Sequence, residues 1–210
     1  MSPPGDPLAR RQLEGLAAAV FPGLRVGIAP IGAVSLMPEE EAALARAVPA
    51  RRAEFSAGRA AARRALGRAL AVPMGEDRAP IWPAGVSGSI THAGGWALAV
   101  VGAGLIGVDL EPDEDLPDEV RDTVLMPAER GVGGREARLI FSAKECAYKA
   151  QYPVTRELFG FEVFAVTLGD GVFRAEFQRD VGRFLRGHAL EGRFALGGGF
   201  MLTGIARPPG

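Results

Sequence analysis
Cysteine is almost absent from these 210 residues. Cys146 is the only one, so no disulfide can form within the chain and nothing points to an oxidising compartment. Histidine appears only at His92 and His188, which leaves no His/Cys cluster to hold zinc. Apolar residues make up 48% of the chain, yet no apolar run approaches the length of a membrane span. The opening stretch MSPPGDPLARRQLEG also lacks the apolar core of a secretory signal, so the expected location is cytoplasmic. A formal net charge of −1 gives no support to nucleic-acid binding. Scarcest among the charged residues is lysine, with two against 22 arginines.

Both lysines fall in one segment, FSAKECAYKA, as Lys144 and Lys149 on either side of Glu145. An ammonium is a compact point charge and a guanidinium a planar fork, so they do not replace one another where anion geometry is tight. Survival of two lysines so close together favours an anion site, with phosphate the natural anion, over a solvated helix face. Apolar residues at Leu139, Ile140, Ala143, Ala147 and Ala150 predict a helix bracketed by Gly134 and Pro153. On that helix Glu145 and Lys149 share a face, while Lys144 points about a quarter-turn away. A Glu–Lys pair at this spacing is also an ordinary helix-stabilising contact, so the segment alone decides nothing.

Upstream, WALAVV and LIGVDLE read as two strands joined tightly through Gly102-Ala103-Gly104. Residues i and i+2 of a strand face the same way, so Asp109 and Glu111 project together with Leu110 opposite. Two like charges ending a buried strand need a cation between them. The alternative is that the strand has already reached solvent, and the acidic run PDEDLPDE does follow, read here as a solvated loop. Two carboxylates on a strand with one carboxylate and two ammonium groups on a helix form a set suited to Mg²⁺ or Mn²⁺ and substrate phosphates. This is the equipment of phosphoryl or pyrophosphate transfer.

Elsewhere, LARRQLEGLAAAVF and PEEEAALARAV predict amphipathic helices flanking a strand at Leu24 to Ile31, and a longer helix is expected from Arg51 to Leu70, ended by Pro73. PMGEDRAPIWPAG reads as an irregular loop and VSGSITH as a strand. EVFAVTLGDGVFRAEF predicts a hairpin turning at Gly169-Asp170-Gly171, and GRFALGGGFMLTGIA two strands around three glycines. Helices against mostly antiparallel strands make an α+β fold. No internal repeat is visible by eye. Trp82 and Trp96 read as core residues and His188 as a surface residue. Cys146 is rejected as a nucleophile, because no histidine is near in sequence and a neighbouring glutamate raises a thiol's pKa.

GVDLE followed about thirty residues later by FSAKECAYK resembles the paired signature of the 4′-phosphopantetheinyl transferases. RRAEFSAGRAAARRAL and EDRAPIWPAGVSGSITH are similar to the amino-terminal blocks of their larger, broad-specificity branch, associated with siderophore, peptide and polyketide synthases. The four blocks stand in order over roughly residues 51 to 153. The resemblance implies two similar halves related by a pseudo-two-fold, residues 1–103 and 104–210, each a mostly antiparallel sheet packed on helices. It implies a monomer that moves 4′-phosphopantetheine from coenzyme A to a serine of an apo acyl or peptidyl carrier protein, releasing adenosine 3′,5′-bisphosphate.

By the same resemblance Asp109, Glu111 and Glu145 hold Mg²⁺, and Lys149, Lys144 and His92 stabilise phosphate charge, with Asp109 also beside the donor. Thr91 and His92 face a coenzyme A phosphate, and Arg51 and Arg59 hold its nucleotide end, Arg52 and Arg63 being near enough to exchange with them. Arg78 is expected near the adenine nucleotide. Members of the branch carry a lysine near position 74, where this chain has Met74. The serine nucleophile belongs to the carrier protein, which leaves Glu145 or a metal-activated water as base. Two rival readings are a metal-dependent nucleotide pyrophosphatase, which attacks with water, and a coenzyme A-binding module without turnover.

Overall fold
A computed structural model describes residues 5–32, 34–44 and 47–208. It has an α+β architecture built on two antiparallel sheets. Helix α1 (Pro7–Val20) starts where Asp6 accepts the Leu8 N–H at 2.9 Å and Pro7 takes the first position, where its missing N–H has no partner to lose. Strand β1 (Arg25–Pro30) follows, then a short helix α2 (Pro38–Glu41), helix α3 (Pro49–Leu66), β2 (Ser87–Ala93) and β3 (Trp96–Gly102), with sheet order β1-β3-β2. The remainder is β4 (Leu105–Pro112), α4 (Asp118–Val124), α5 (Gly134–Thr155), β5 (Phe164–Leu168), β6 (Val172–Phe177), β7 (Ala189–Gly197) and β8 (Phe200–Arg207), with order β4-β8-β7-β6-β5. In each sheet the last strand returns beside the first, and the larger sheet adds a hairpin. No helix among the described residues is long and apolar enough to cross a membrane.

Several expected boundaries move. Helix α3 stops at Leu66 rather than Leu70 because Gly67 takes the left-handed conformation (φ 66°) that closes a helix without strain. Pro153 does not end α5. It sits in the last turn, and the helix closes at Arg156 instead. The predicted helix over PEEEAALARAV is one α-turn followed by a 3₁₀ turn (Ala42–Leu44), and positions 45 and 46 lie outside the described residues. The acidic run PDEDLPDE is loop only at its start, since Asp118 and Glu119 open α4.

The halves are not separate bodies. One buried cluster joins Leu13 and Leu16 of α1, Leu98 of β3, Val108 and Leu110 of β4 and Leu202 of β8. Strands β2 and β4 run side by side without a hydrogen-bonded ladder. Side-chain hydroxyls bridge them: Ser89 Oγ accepts the Val108 N–H at 3.2 Å and Thr91 Oγ1 the Leu110 N–H at 3.0 Å. Each half lays its long helix against a glycine. A Cβ on Gly27 would collide with the Ala61 carbonyl of α3, and one on Gly107 with the Cys146 carbonyl of α5.

A second shared device is the sequence Leu-Met-Pro-x-Glu, which occurs at 36–40 and 125–129. Glu40, fully buried, accepts the N–H groups of Met37 (3.0 Å) and Val72 (3.0 Å) and both oxygens receive Arg63 (2.9 and 2.8 Å). Glu129 accepts Met126 N–H (2.7 Å), Val166 N–H (2.7 Å) and the Lys144 ammonium (2.7 Å). Each glutamate ties the approach to a long helix to the helix itself and to a distant strand or loop. Removing one partner of such a buried pair strands the other. Glu129→Ala should therefore lower unfolding stability by about 3 kcal/mol in urea titration. A loss below about 1 kcal/mol would mean the pair is solvated and not a strut.

Candidate active site
Strand alternation puts Ile106, Val108 and Leu110 of β4 into the shared core and turns Gly107, Asp109 and Glu111 toward α5. Because Gly107 brings α5 close, a stripe of the helix at Arg138, Ser142, Glu145 and Lys149, spaced four, three and four residues apart, meets these carboxylates. Asp109 is 3% exposed. Its Oδ1 receives Lys149 Nζ at 2.6 Å and Thr91 Oγ1 at 3.3 Å, and its Oδ2 receives Ser142 Oγ at 2.9 Å. Ser142 is itself 2.9 Å from Thr203 Oγ1, across from Asp109 on β8. Glu111 receives Arg138 Nη1 at 2.8 Å.

Electrostatics follow from this crowding. Burial, then the Asp109 charge, pushes the Glu111 carboxyl above its usual range despite Arg138. Burial does the same for Glu145, helped by Asp109 and opposed by Lys149. Burial disfavours the Lys149 ammonium, but Asp109 and Glu145 outweigh it and hold the lysine above its ordinary range. Glu111 and Glu145 thus share a poorly hydrated stripe with incomplete compensation, beside an Asp109 whose oxygens are both met by donors. Among the described residues no three His, Cys, Asp or Glu side chains are drawn together tightly enough to form a ready metal cage, since Arg138 and Lys149 stand on Glu111 and Asp109.

Beside the stripe opens a cavity of about 660 Å³, bordered by Arg51, Arg59, Arg78, Trp82, His92 and Lys149. Arg59 is only 5% exposed, stacks its guanidinium 3.9 Å above the Phe55 ring and has no hydrogen-bond partner for its Nε among the described residues. Burial above all, with Arg51 and Arg63 adding to it against Glu40, lowers its pKa to about 10. Arg51 is exposed, its Nη1 lying 3.4 Å from both His92 Nε2 and Glu54 Oε2. Burial first, then Arg51 and Lys149, keep His92 below the usual histidine range against Glu54 and Asp109. Arg52 and Arg63 do not border the cavity; they pair with Glu41 and Glu40.

Two residues expected at phosphate are placed otherwise. Thr91 and His92 alternate across β2, so only His92 reaches the cavity, while the Thr91 hydroxyl is committed to Leu110 N–H and Asp109. Lys144 is 1% exposed, with its ammonium 2.8 Å from the Val124 carbonyl and 2.7 Å from Glu129. Its stem borders a smaller cavity of about 150 Å³ with Glu145, Tyr148, Phe159 and Phe161, and its ammonium is already paired with Glu129, although burial outweighs that pairing and holds it below the usual lysine range. Met74 pairs with Pro80 in an isolated bridge. Trp96 is core, whereas Trp82 borders the cavity, and His188 is exposed. Cys146 is fully buried, and burial drives its thiol far above the range in which it would ionise. Arg138, Ser142, Thr203 and Glu54 were not anticipated from the sequence; the four-three-four spacing back from Lys149 was the signal for the first two.

Comparison with known proteins covers both halves. Residues 39–102 match the family described as 4′-phosphopantetheinyl transferase N-terminal domain, and residues 105–194 match the 4′-phosphopantetheinyl transferase superfamily. The chain is 42% identical to 4′-phosphopantetheinyl transferase Svp of Streptomyces mobaraensis, over 85% of this chain and 81% of that one. It is 37% identical to 4′-phosphopantetheinyl transferase Npt of Nocardia iowensis, over 80% of this chain and 88% of that one. Enterobactin synthase component D of Escherichia coli (strain K12) is 43% identical over 48% of this chain and 54% of its own. Matched block by block on both sides of Ala103 and Gly104, and alike to full-length relatives over most of its length, the chain belongs to the 4′-phosphopantetheinyl transferase superfamily.

Proposed function
We propose that this protein transfers 4′-phosphopantetheine from coenzyme A to a serine of an apo acyl or peptidyl carrier protein and releases adenosine 3′,5′-bisphosphate. One observation carries the reading beyond family membership: Arg59, buried and with no hydrogen-bond partner for its Nε among the described residues, borders a large cavity that runs to Lys149 and the carboxylate stripe. Glu40, the acid that opposes its burial, is already paired with Arg63, so this guanidinium is costly to bury unless an anion completes it, and its fork suits a phosphate dianion. Arg51 and Arg78 add exposed positive charge around the same cavity for the nucleotide end.

The donor set of Asp109, Glu111 and Glu145 fits Mg²⁺, with Mn²⁺ as substitute. All are hard oxygen donors, and both glutamates hold protons unusually well because burial, and then the Asp109 charge, disfavours their ionised form. When bound, the ion would neutralise pyrophosphate charge and polarise the phosphorus under attack. Lys149 and His92 stand at the cavity to take up charge developing on the phosphates. Glu145, with its raised proton affinity, is suited to accept the serine hydroxyl proton. Thr91 and Ser142 hold the Asp109 carboxylate in place. The attacking oxygen is the carrier protein's, consistent with the inert burial of Cys146. The family tie to enterobactin synthase component D points to siderophore assembly as a setting.

Intact-mass measurement tests the reading: apo-carrier protein incubated with coenzyme A and Mg²⁺ should gain the phosphopantetheine mass. Asp109→Asn should lower kcat/KM by about 10²-fold or more while leaving far-ultraviolet circular dichroism unchanged. Hydrolysis of coenzyme A with no mass gain on several carrier proteins would favour a pyrophosphatase instead. A second outcome concerns Arg59. Replacing it with Met removes a buried charge, so the melting temperature should hold or rise, while the KM for coenzyme A should climb about tenfold or more. A lower melting temperature with unchanged KM would mean that Arg59 supports the fold and not the donor.

A further inference from the structure
One wall of the large cavity belongs to neither sheet. Residues 73–81 fold back on themselves, with Ile81 N–H on the Pro73 carbonyl (2.9 Å), Gly75 N–H on that of Ala79 (2.8 Å) and Arg78 N–H on that of Gly75 (2.9 Å). Met74 and Pro80 form an antiparallel bridge within it. The result is a strap with Asp77 and Arg78 at its tip, and Asp77, Arg78, Ile81 and Trp82 border the cavity.

The tip is fastened to the opposite half, at the end of α5. Asp77 Oδ2 receives the Tyr152 hydroxyl at 3.1 Å and Arg156 Nη1 at 2.5 Å, while its Oδ1 receives the Ala79 N–H at 3.0 Å. Gly75 leaves room for this, since a Cβ there would stand 2.7 Å from Asp77 Oδ1. Among the described residues the non-glycine positions with positive φ are Arg78 (68°), on the strap, and Arg156 (58°), whose left-handed turn is the ordinary close of α5. Arg78 has no helix end to close, and a non-glycine residue keeps such a conformation where its surroundings over-determine it, as at ligand sites. The Ala79 N–H first, with Tyr152 and Arg156, holds the Asp77 carboxyl below its usual range against a smaller effect of burial, so the junction is charged at neutral pH.

We propose that Asp77 is a positioning residue which, with Tyr152 and Arg156, latches the strap across the two halves and thereby fixes Arg78, Ile81 and Trp82 against the nucleotide end of the donor. This rests on the reading that the cavity holds that nucleotide. A fastened strap has less freedom to lose when the ligand arrives, so the latch raises affinity without touching the reacting phosphorus.

Calorimetric titration with adenosine 3′,5′-bisphosphate tests it on the full chain and on Asp77→Asn, Tyr152→Phe and Arg156→Gln. Each variant should bind more weakly, Asp77→Asn by about fivefold, with the KM for coenzyme A rising in step and kcat falling by a smaller factor. Arg156→Gln should add little once Asp77→Asn is present, because the pair is already broken. A merely structural role would lower melting temperatures and leave affinity alone. Failure of the parent chain to bind the bisphosphate would overturn the cavity reading and the latch with it. Binding by the parent with unchanged affinity in Asp77→Asn and Arg156→Gln, or fully additive losses in the double variant, would overturn the latch only. Arg156 is 59% exposed, so its variant remains informative even if Asp77→Asn folds poorly.

Discussion

A carboxylate held out of water is the constraint on which this structure turns. Asp109 is ionisable, almost wholly buried and two residues from another carboxylate, an arrangement that survives only if its oxygens are met by donors. The donors come from α5 as Lys149 and Ser142, and from β2 as Thr91. For the first two to arrive, α5 must lie close on β4, which Gly107 permits. For the third, an edge strand of the smaller sheet must run beside an edge strand of the larger one, which Ser89 and Thr91 achieve by hydroxyl bridges instead of a ladder. The two halves and the candidate site are therefore held by the same few hydrogen bonds.

Around that anchor the charges sort by whether they are already matched. Arg63 with Glu40 and Lys144 with Glu129 are buried pairs with every visible carboxylate oxygen occupied, and they act as struts. Arg59 is buried, and Glu111 and Glu145 half-buried, with incomplete compensation. Groups of the second kind reduce stability in the free protein and gain it when a ligand of opposite charge arrives, the pattern expected of a binding site in place of a core. Composition conceals the distinction, because the chain uses arginine for both purposes.

Much of this was legible in the sequence, and the remainder was hidden for identifiable reasons. Strand alternation fixed Asp109 and Glu111 on one face, and the helical spacing of FSAKECAYK put Glu145 and Lys149 on another. Lys144 was expected at phosphate because a lysine next to a signature glutamate looks like part of the site, whereas its ammonium is met by Glu129, fifteen residues upstream. The family resemblance set Thr91 and His92 against one phosphate, whereas on β2 His92 borders the cavity and the Thr91 hydroxyl turns to Asp109 and β4. Short correspondences between the halves stand in the sequence, in FSA at 55–57 and 141–143 and in the two Leu-Met-Pro-x-Glu segments, but such echoes gain meaning only from the places they take in the fold. The contact between Asp77 and Tyr152 spans 75 positions, and no local pattern announces it.

The two lysines that first set this chain apart give its most direct test. They lie five positions apart on one helix, and the same substitution can be made at each. Lys144→Arg should lower the melting temperature by crowding a sealed pocket while the folded fraction keeps its turnover. Lys149→Arg should melt close to the parent yet lose transfer to carrier protein, since a flat fork cannot stand where a point charge meets Asp109 and the phosphates. Measuring melting temperature and carrier-protein turnover on both variants decides the matter. Parental turnover in Lys149→Arg, or lost turnover at unchanged stability in Lys144→Arg, would contradict the division of strut from active site.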